Sequence, residues 1–138
     1  MSSSARDWNA RLIEEYRANH GSVKAFPDGT VLLLHHKGAR SGEPRLNPLV
    51  YLRDGDRYAL FATKGGAPTN PAWYYNLKAS PNVEVELGDR TFEAVASEAT
   101  GEERDRLYAA QAARSPSFGE YEARTSRKIP VMILTPTD

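Results

Sequence analysis

Two short turn signals restrict the folds open to this chain more than any other feature. Asp54-Gly55-Asp56 separates the run 46–53 from the run 57–63, and Gly88-Asp89 separates 82–87 from 90–97. A turn this tight joins antiparallel neighbours, whereas parallel strands need a crossover of about a dozen residues or more. Within 82–87, Val83, Val85 and Leu87 alternate with Glu84 and Glu86, and Phe92, Ala94 and Ala96 alternate in the next run. That period of two marks half-buried strands. Two further apolar runs, 30–36 after the turn signal Pro27-Asp28-Gly29 and 129–135 near the end, bring the expected strands to six. Pro48, inside the run 46–53, points to an edge or a bulge. The expected class is α+β and mainly β: a six-stranded, mostly antiparallel split β-barrel flanked by short helices, because closure removes exposed edges.

Helices fill the intervals. Trp8, Leu12, Ile13 and Tyr16 form an apolar stripe over about residues 5–20, with Gly21 as the stop. Pro71 opens the short segment AWYYNLKA, with Asn70 as its cap and Ser80-Pro81 as its end. Thr100 and Glu103 have capping-box spacing ahead of GEERDRLYAAQAA, and Ser117 and Glu120 suggest a further helix over FGEYEART. The 138 residues fit a single domain, 1–138, large enough to bury a core unaided. Repeats and low-complexity tracts are absent.

Composition excludes several chemistries. With no cysteine there are no disulfides, thiolate metal sites or cysteine nucleophiles. Lysine and arginine number 18, and so do aspartate and glutamate, so the basic excess of a nucleic-acid binder is missing. No apolar run approaches the roughly 18 residues of a membrane span, and the first residues lack a secretory h-region, so a cytoplasmic protein with no integral membrane segment is expected. His35 and His36 are neighbours on a strand, point to opposite faces and cannot grip one ion together; no metal site is expected. Nucleophile elbow, Walker loop and GxGxxG are absent too.

What remains is three loops. In KGARSGEPR, Lys37, Arg40 and Arg45 crowd around Gly38, Ser41 and Gly42. Such a loop suits an anion, through backbone amides and guanidinium groups, although a solvated hairpin has the same composition. Thr63-Lys64-Gly65-Gly66 ends a strand, and NPAWYYN carries Trp73, Tyr74 and Tyr75. Basic, small and aromatic loops together suit a flat, anionic, aromatic cofactor that carries its own redox chemistry.

GxRSGxPRxNPL, followed by KGG and PxWYxNL, resembles the deazaflavin-dependent nitroreductase family of actinobacteria, and the likeness runs from about 31 to 134. The resemblance implies a split barrel that binds coenzyme F(420), an 8-hydroxy-5-deazaflavin with a phosphate and a polyglutamate tail. It implies that Arg40, Ser41 and Arg45 hold the tail, with Lys37 just outside the usual basic pair and Ala39 where relatives often have arginine. It implies that Asn47, Pro48, Leu49, Val50, Phe61, Ala62, Thr63, Lys64, Ala72, Trp73, Tyr74, Tyr75 and Asn76 line the ring. The implied reaction is hydride transfer from reduced F(420) to an electron-poor small molecule: a quinone, an enone or unsaturated lactone, or a nitro compound. Thr63, Ser115, Phe118 and Tyr121 are the implied acceptor-orienting positions; nitro-drug-activating relatives have tyrosine at the last three. Trp8 and Tyr16 are expected to cap the pocket, and a homodimer is in keeping with such relatives. An FMN- or haem-binding barrel and a non-catalytic F(420) carrier are the alternatives.

Overall fold

A computed structural model describes residues 3–26 and 31–137. The turn expected at Pro27-Asp28-Gly29, and Thr30 after it, lie outside the described residues. In chain order the elements are α1 (Ser3–Ala18), β1 (Val31–Lys37), β2 (Pro44–Asp54), β3 (Arg57–Phe61), a 3-10 turn at Lys64–Gly66, α2 (Ala72–Ala79), β4 (Asn82–Leu87), β5 (Arg90–Ala99), α3 (Gly101–Arg114), α4 (Pro116–Arg124) and β6 (Val131–Pro136).

The six strands close a barrel in the order β1-β2-β3-β6-β5-β4, and every pairing is antiparallel. Strand alternation sorts the side chains. Leu32, Leu34, Tyr58, Leu60, Val85, Phe92 and Leu134 fill the interior, where Trp73, Tyr74 and Leu77 of α2 join them. Ala59, Phe61, Val131 and Ile133 face outward beneath α3 and α4, meeting Leu107, Tyr108 and Phe118. Val31 and Leu33 meet Leu12 and Tyr16 of α1. The expected α1 stripe is therefore real, but Trp8 at its end is half exposed.

One register detail positions the site. β1 and β2 pair from Val31↔Val50 to Lys37↔Pro44, whereas β2 and β3 pair only from Tyr51↔Leu60 to Asp54↔Arg57. The N-terminal half of β2 thus lacks a partner on its β3 side. Pro48 sits in that half, where a missing N–H donor is tolerated, so the expected edge is a local one.

Several local expectations need correction. β3 ends at Phe61, two residues early, because the chain curls into the 3-10 turn with Lys64 at φ 47. Pro71, not Asn70, occupies the cap of α2; the Asn70 side chain instead bonds Tyr75 and Arg127. Thr100 caps α3 by position without a side-chain bond, and the Glu103 carboxylate accepts from Arg57 at 3.1 Å, so the capping box does not form. α4 begins two residues before FGEYEART, since Pro116 suits a first helical turn. No helix among the described residues is long and apolar enough to cross a membrane.

Candidate active site

Two hollows flank the first turn of α2. One is a cleft of about 560 Å³ at the place where β2 and β3 part. Pro48, Leu49 and Val50 of β2 form one wall, Phe61, Thr63 and Lys64 the next, and Trp73 the floor side. Ser115, Phe118 and Tyr121 close it from α4 and its cap. The second hollow, about 590 Å³ and more open, is lined by Arg40, Ser41, Arg45, Ala72, Tyr75 and Asn76. Most of the residues singled out in the sequence thus gather around these two spaces.

Four do not. Lys37 borders a separate shallow pocket with Glu84 and Glu93. Asn47 is spent on His36, its Oδ1 lying 2.7 Å from Nε2. Ala62 is fully buried, and Tyr74 is a core residue whose hydroxyl meets Glu98 at 3.0 Å. Nor does Tyr16 cap the cleft: it is buried, and its hydroxyl accepts from the Gly88 N–H at 2.9 Å. Trp8 lines a separate surface pocket with Arg11 and Lys24, and a small cavity of about 90 Å³ shared with Pro48, Leu49 and Val50, but not the main cleft.

The basic loop is built to be tight. Gly38 N–H donates to the Glu43 carbonyl and Gly42 N–H to the Gly38 carbonyl, both at 2.9 Å. A Cβ on Gly38 would lie 2.6 Å from Ser41 Oγ, so a larger residue there would have to turn the serine hydroxyl aside. Among the described residues Arg40 has no ion-pair partner, and Arg45 has only a 3.8 Å contact with Glu43. The loop therefore carries positive charge that the protein leaves nearly uncompensated, which fits a polyanionic tail.

The cleft combines apolar walls with the polar side chains of Thr63, Lys64, Arg114 and Tyr121. Phe61, Phe118 and Tyr121 stack edge-to-face at 5.7 and 5.4 Å. Tyr108 fixes Phe118 by donating to its carbonyl at 2.6 Å, and burial pushes the Tyr108 phenol up to about 12. Gln111, Arg114 and Ser117 also reach the cleft and were not among the expected residues. Gln111 is 3% exposed, and its Oε1 has no hydrogen-bond partner. An unpaired buried acceptor of this kind is a local cost to the fold. Arg127 was missed as well. It donates to the carbonyls of Thr63 (2.7 Å), Ala67 (2.9 Å) and Ala62 (3.0 Å) and to Asn70 Oδ1 (2.7 Å), tying down the loop that forms the cleft's rim.

The sequence profile of the F(420)H(2)-dependent quinone reductase family matches residues 8–136. The chain belongs to that family. An F(420)H(2)-dependent quinone reductase of Mycobacterium tuberculosis is 40% identical over 125 residues, covering 87% of this chain and 84% of the relative. The solved structure of an F(420)H(2)-dependent reductase aligns with a TM-score of 0.70 at 39% identity, over 76% of this chain and 93% of its own. A second, described as a domain-swapped dimer, aligns at 0.71 and 35% identity over 94% and 98%. The reductase family thus shares this barrel over nearly its whole length, and the deazaflavin resemblance read in the sequence agrees with it.

Proposed function

We propose that this chain is an F(420)H(2)-dependent quinone reductase, working as one deazaflavin-binding unit over residues 1–138. One observation carries the reading: an uncompensated basic hollow and a flat apolar cleft stand side by side across the first turn of α2. That pairing matches a cofactor with a polyanionic arm and a planar ring. Arg40, Ser41 and Arg45 would hold the arm; Pro48, Leu49, Val50, Phe61 and Trp73 would flank the ring and exclude water. The bound deazaflavin supplies a hydride, so electrons move in pairs. Thr63 and Tyr121 hydroxyls would serve as donors to the acceptor's carbonyl oxygen, where negative charge gathers, with Arg114 lining the same cleft. A quinone meets these demands best, since it is planar and carries its polar atoms at the edge. Enones fit the same donors. Phe118 and Ser115 remove two hydroxyl-bearing rings from this wall, which disfavours nitro compounds. Because a similar solved structure is described as a domain-swapped dimer, the proposal extends to a homodimer working in the cytoplasm.

The test is anaerobic mixing of the purified chain with reduced F(420) and menadione, followed by the cofactor's visible absorbance. Acceptor-dependent oxidation is expected. Thr63→Val and Tyr121→Phe should each lower kcat/KM by about tenfold, a loss of one transition-state hydrogen bond. Tight binding without oxidation by any quinone would instead mark a carrier.

A further inference from the structure

A polar chain links the basic loop to α2 and β1. His36 (6% exposed) and Asn76 (7%) are both buried. The Ala39 N–H donates to Asn76 Oδ1 at 2.8 Å, Asn76 Nδ2 lies 3.2 Å from His36 Nδ1, and His36 Nε2 lies 2.7 Å from Asn47 Oδ1. Amide orientations and imidazole tautomers are ordinarily ambiguous. Here one group removes the ambiguity. A backbone N–H is only ever a donor, so Asn76 must turn its oxygen to Ala39 and its NH₂ to His36. Nδ1 must then be bare, and the single ring proton sits on Nε2, donated to Asn47. The chain is saturated in one proton arrangement, with His36 neutral.

We infer that His36 and Asn76 are positioning residues that lock the anion-binding loop to α2 while His36 is neutral, and that protonating His36 releases the loop and weakens cofactor binding. A second ring proton would face the Asn76 NH₂ donor to donor. Flipping that amide would only move the conflict to the Ala39 N–H. The surroundings agree: burial, Arg45 of β2 and the adjacent His35 hold the His36 imidazole below its ordinary value, against the hydrogen bond to Asn47. Lys37 of β1 borders the same shallow pocket, as do Glu84 of β4 and Glu93 of β5, whose carboxylates act in the opposite direction. α2 contributes Asn76 alone to the chain. The neutral form therefore prevails at neutral pH. Its contribution to stability is full above the unfolded value of 6.5 and is lost as pH falls below it toward the depressed folded value.

The binding arm of the test rests on the F(420) reading; the spectroscopic arm does not. In the unliganded full chain, ¹⁵N NMR should show a bare Nδ1 on His36 at about pH 7.5, and the Ala39 amide should shift with the His36 titration as pH is lowered. Oxidised F(420), titrated by fluorescence, should bind several-fold more weakly at about pH 5 than at about pH 7.5. In His36→Gln, a side chain that both donates and accepts without titrating, that pH dependence should vanish, whereas His36→Phe should bind weakly at both pH values. A protonated Nδ1 at neutral pH, or the same pH dependence in His36→Gln as in the unaltered chain, overturns the inference. If F(420) binds at no pH, the proposed function fails, and the Ala39 and His36 signals still decide the relay.

Discussion

Gln111 and Arg127 are the residues that the sequence hid most completely, and for different reasons. Gln111 stands on a helix most of whose polar positions face solvent, Arg104 apart, so its type predicted exposure; the docking of α3 over the barrel buries it. Arg127 belongs to a short segment without periodicity, and nothing local says that it binds carbonyls about sixty residues away. By contrast, Arg40 and Arg45 were legible because glycines around a basic cluster report a loop and its charge at once. Gln111 also carries a prediction. An open buried acceptor costs about 1–3 kcal/mol, and an apolar replacement of similar shape removes that cost. Gln111→Leu should therefore raise the thermal midpoint while altering the KM for quinones. A lowered midpoint with unchanged KM would show that the carboxamide serves packing alone.

Elements were legible where local chemistry and the final pairing agree. AWYYNLKA forms α2 over its full length, and both tight turns join neighbouring strands as their sequence requires. Ends were less legible, because long-range pairing decides them: β2 extends to Pro44 since β1 offers partners as far as Lys37. The 3-10 turn is the element on which the cleft depends. Gly66 has φ 82, and a Cβ there would lie 3.1 Å from the Tyr121 carbonyl and 3.2 Å from Arg124 Cβ. α4 packs so closely on the turn that a Cβ there, besides being strained at that φ, would push against it. Gly66→Ala should cost about 1–2 kcal/mol in urea unfolding and lower quinone turnover more than cofactor affinity, since α4 carries Tyr121 while the basic loop is untouched. Equal losses in both would mean that the turn supports the whole mouth rather than its α4 wall.

At the scale of the molecule, charge and topology act separately. Overall charge is balanced, with 18 basic and 18 acidic residues, yet Arg40 and Arg45 remain nearly uncompensated at one rim. Attraction to a polyanion is therefore local and screenable, with a reach of about 8 Å at physiological salt. Arg40→Glu combined with Arg45→Glu should raise the F(420) dissociation constant about a hundredfold or more, leave unfolding nearly unchanged, and reverse the sign of the salt dependence of binding. Unaltered affinity would make the loop ordinary surface. Topology supplies the other half. The unpaired side of β2 is where a barrel of this size would ordinarily invite another backbone to add itself. Pro48 offers no amide hydrogen to such an intruder. A backbone seeking to pair along this seam would meet a residue that cannot donate there, which guards the opening against edge-to-edge association.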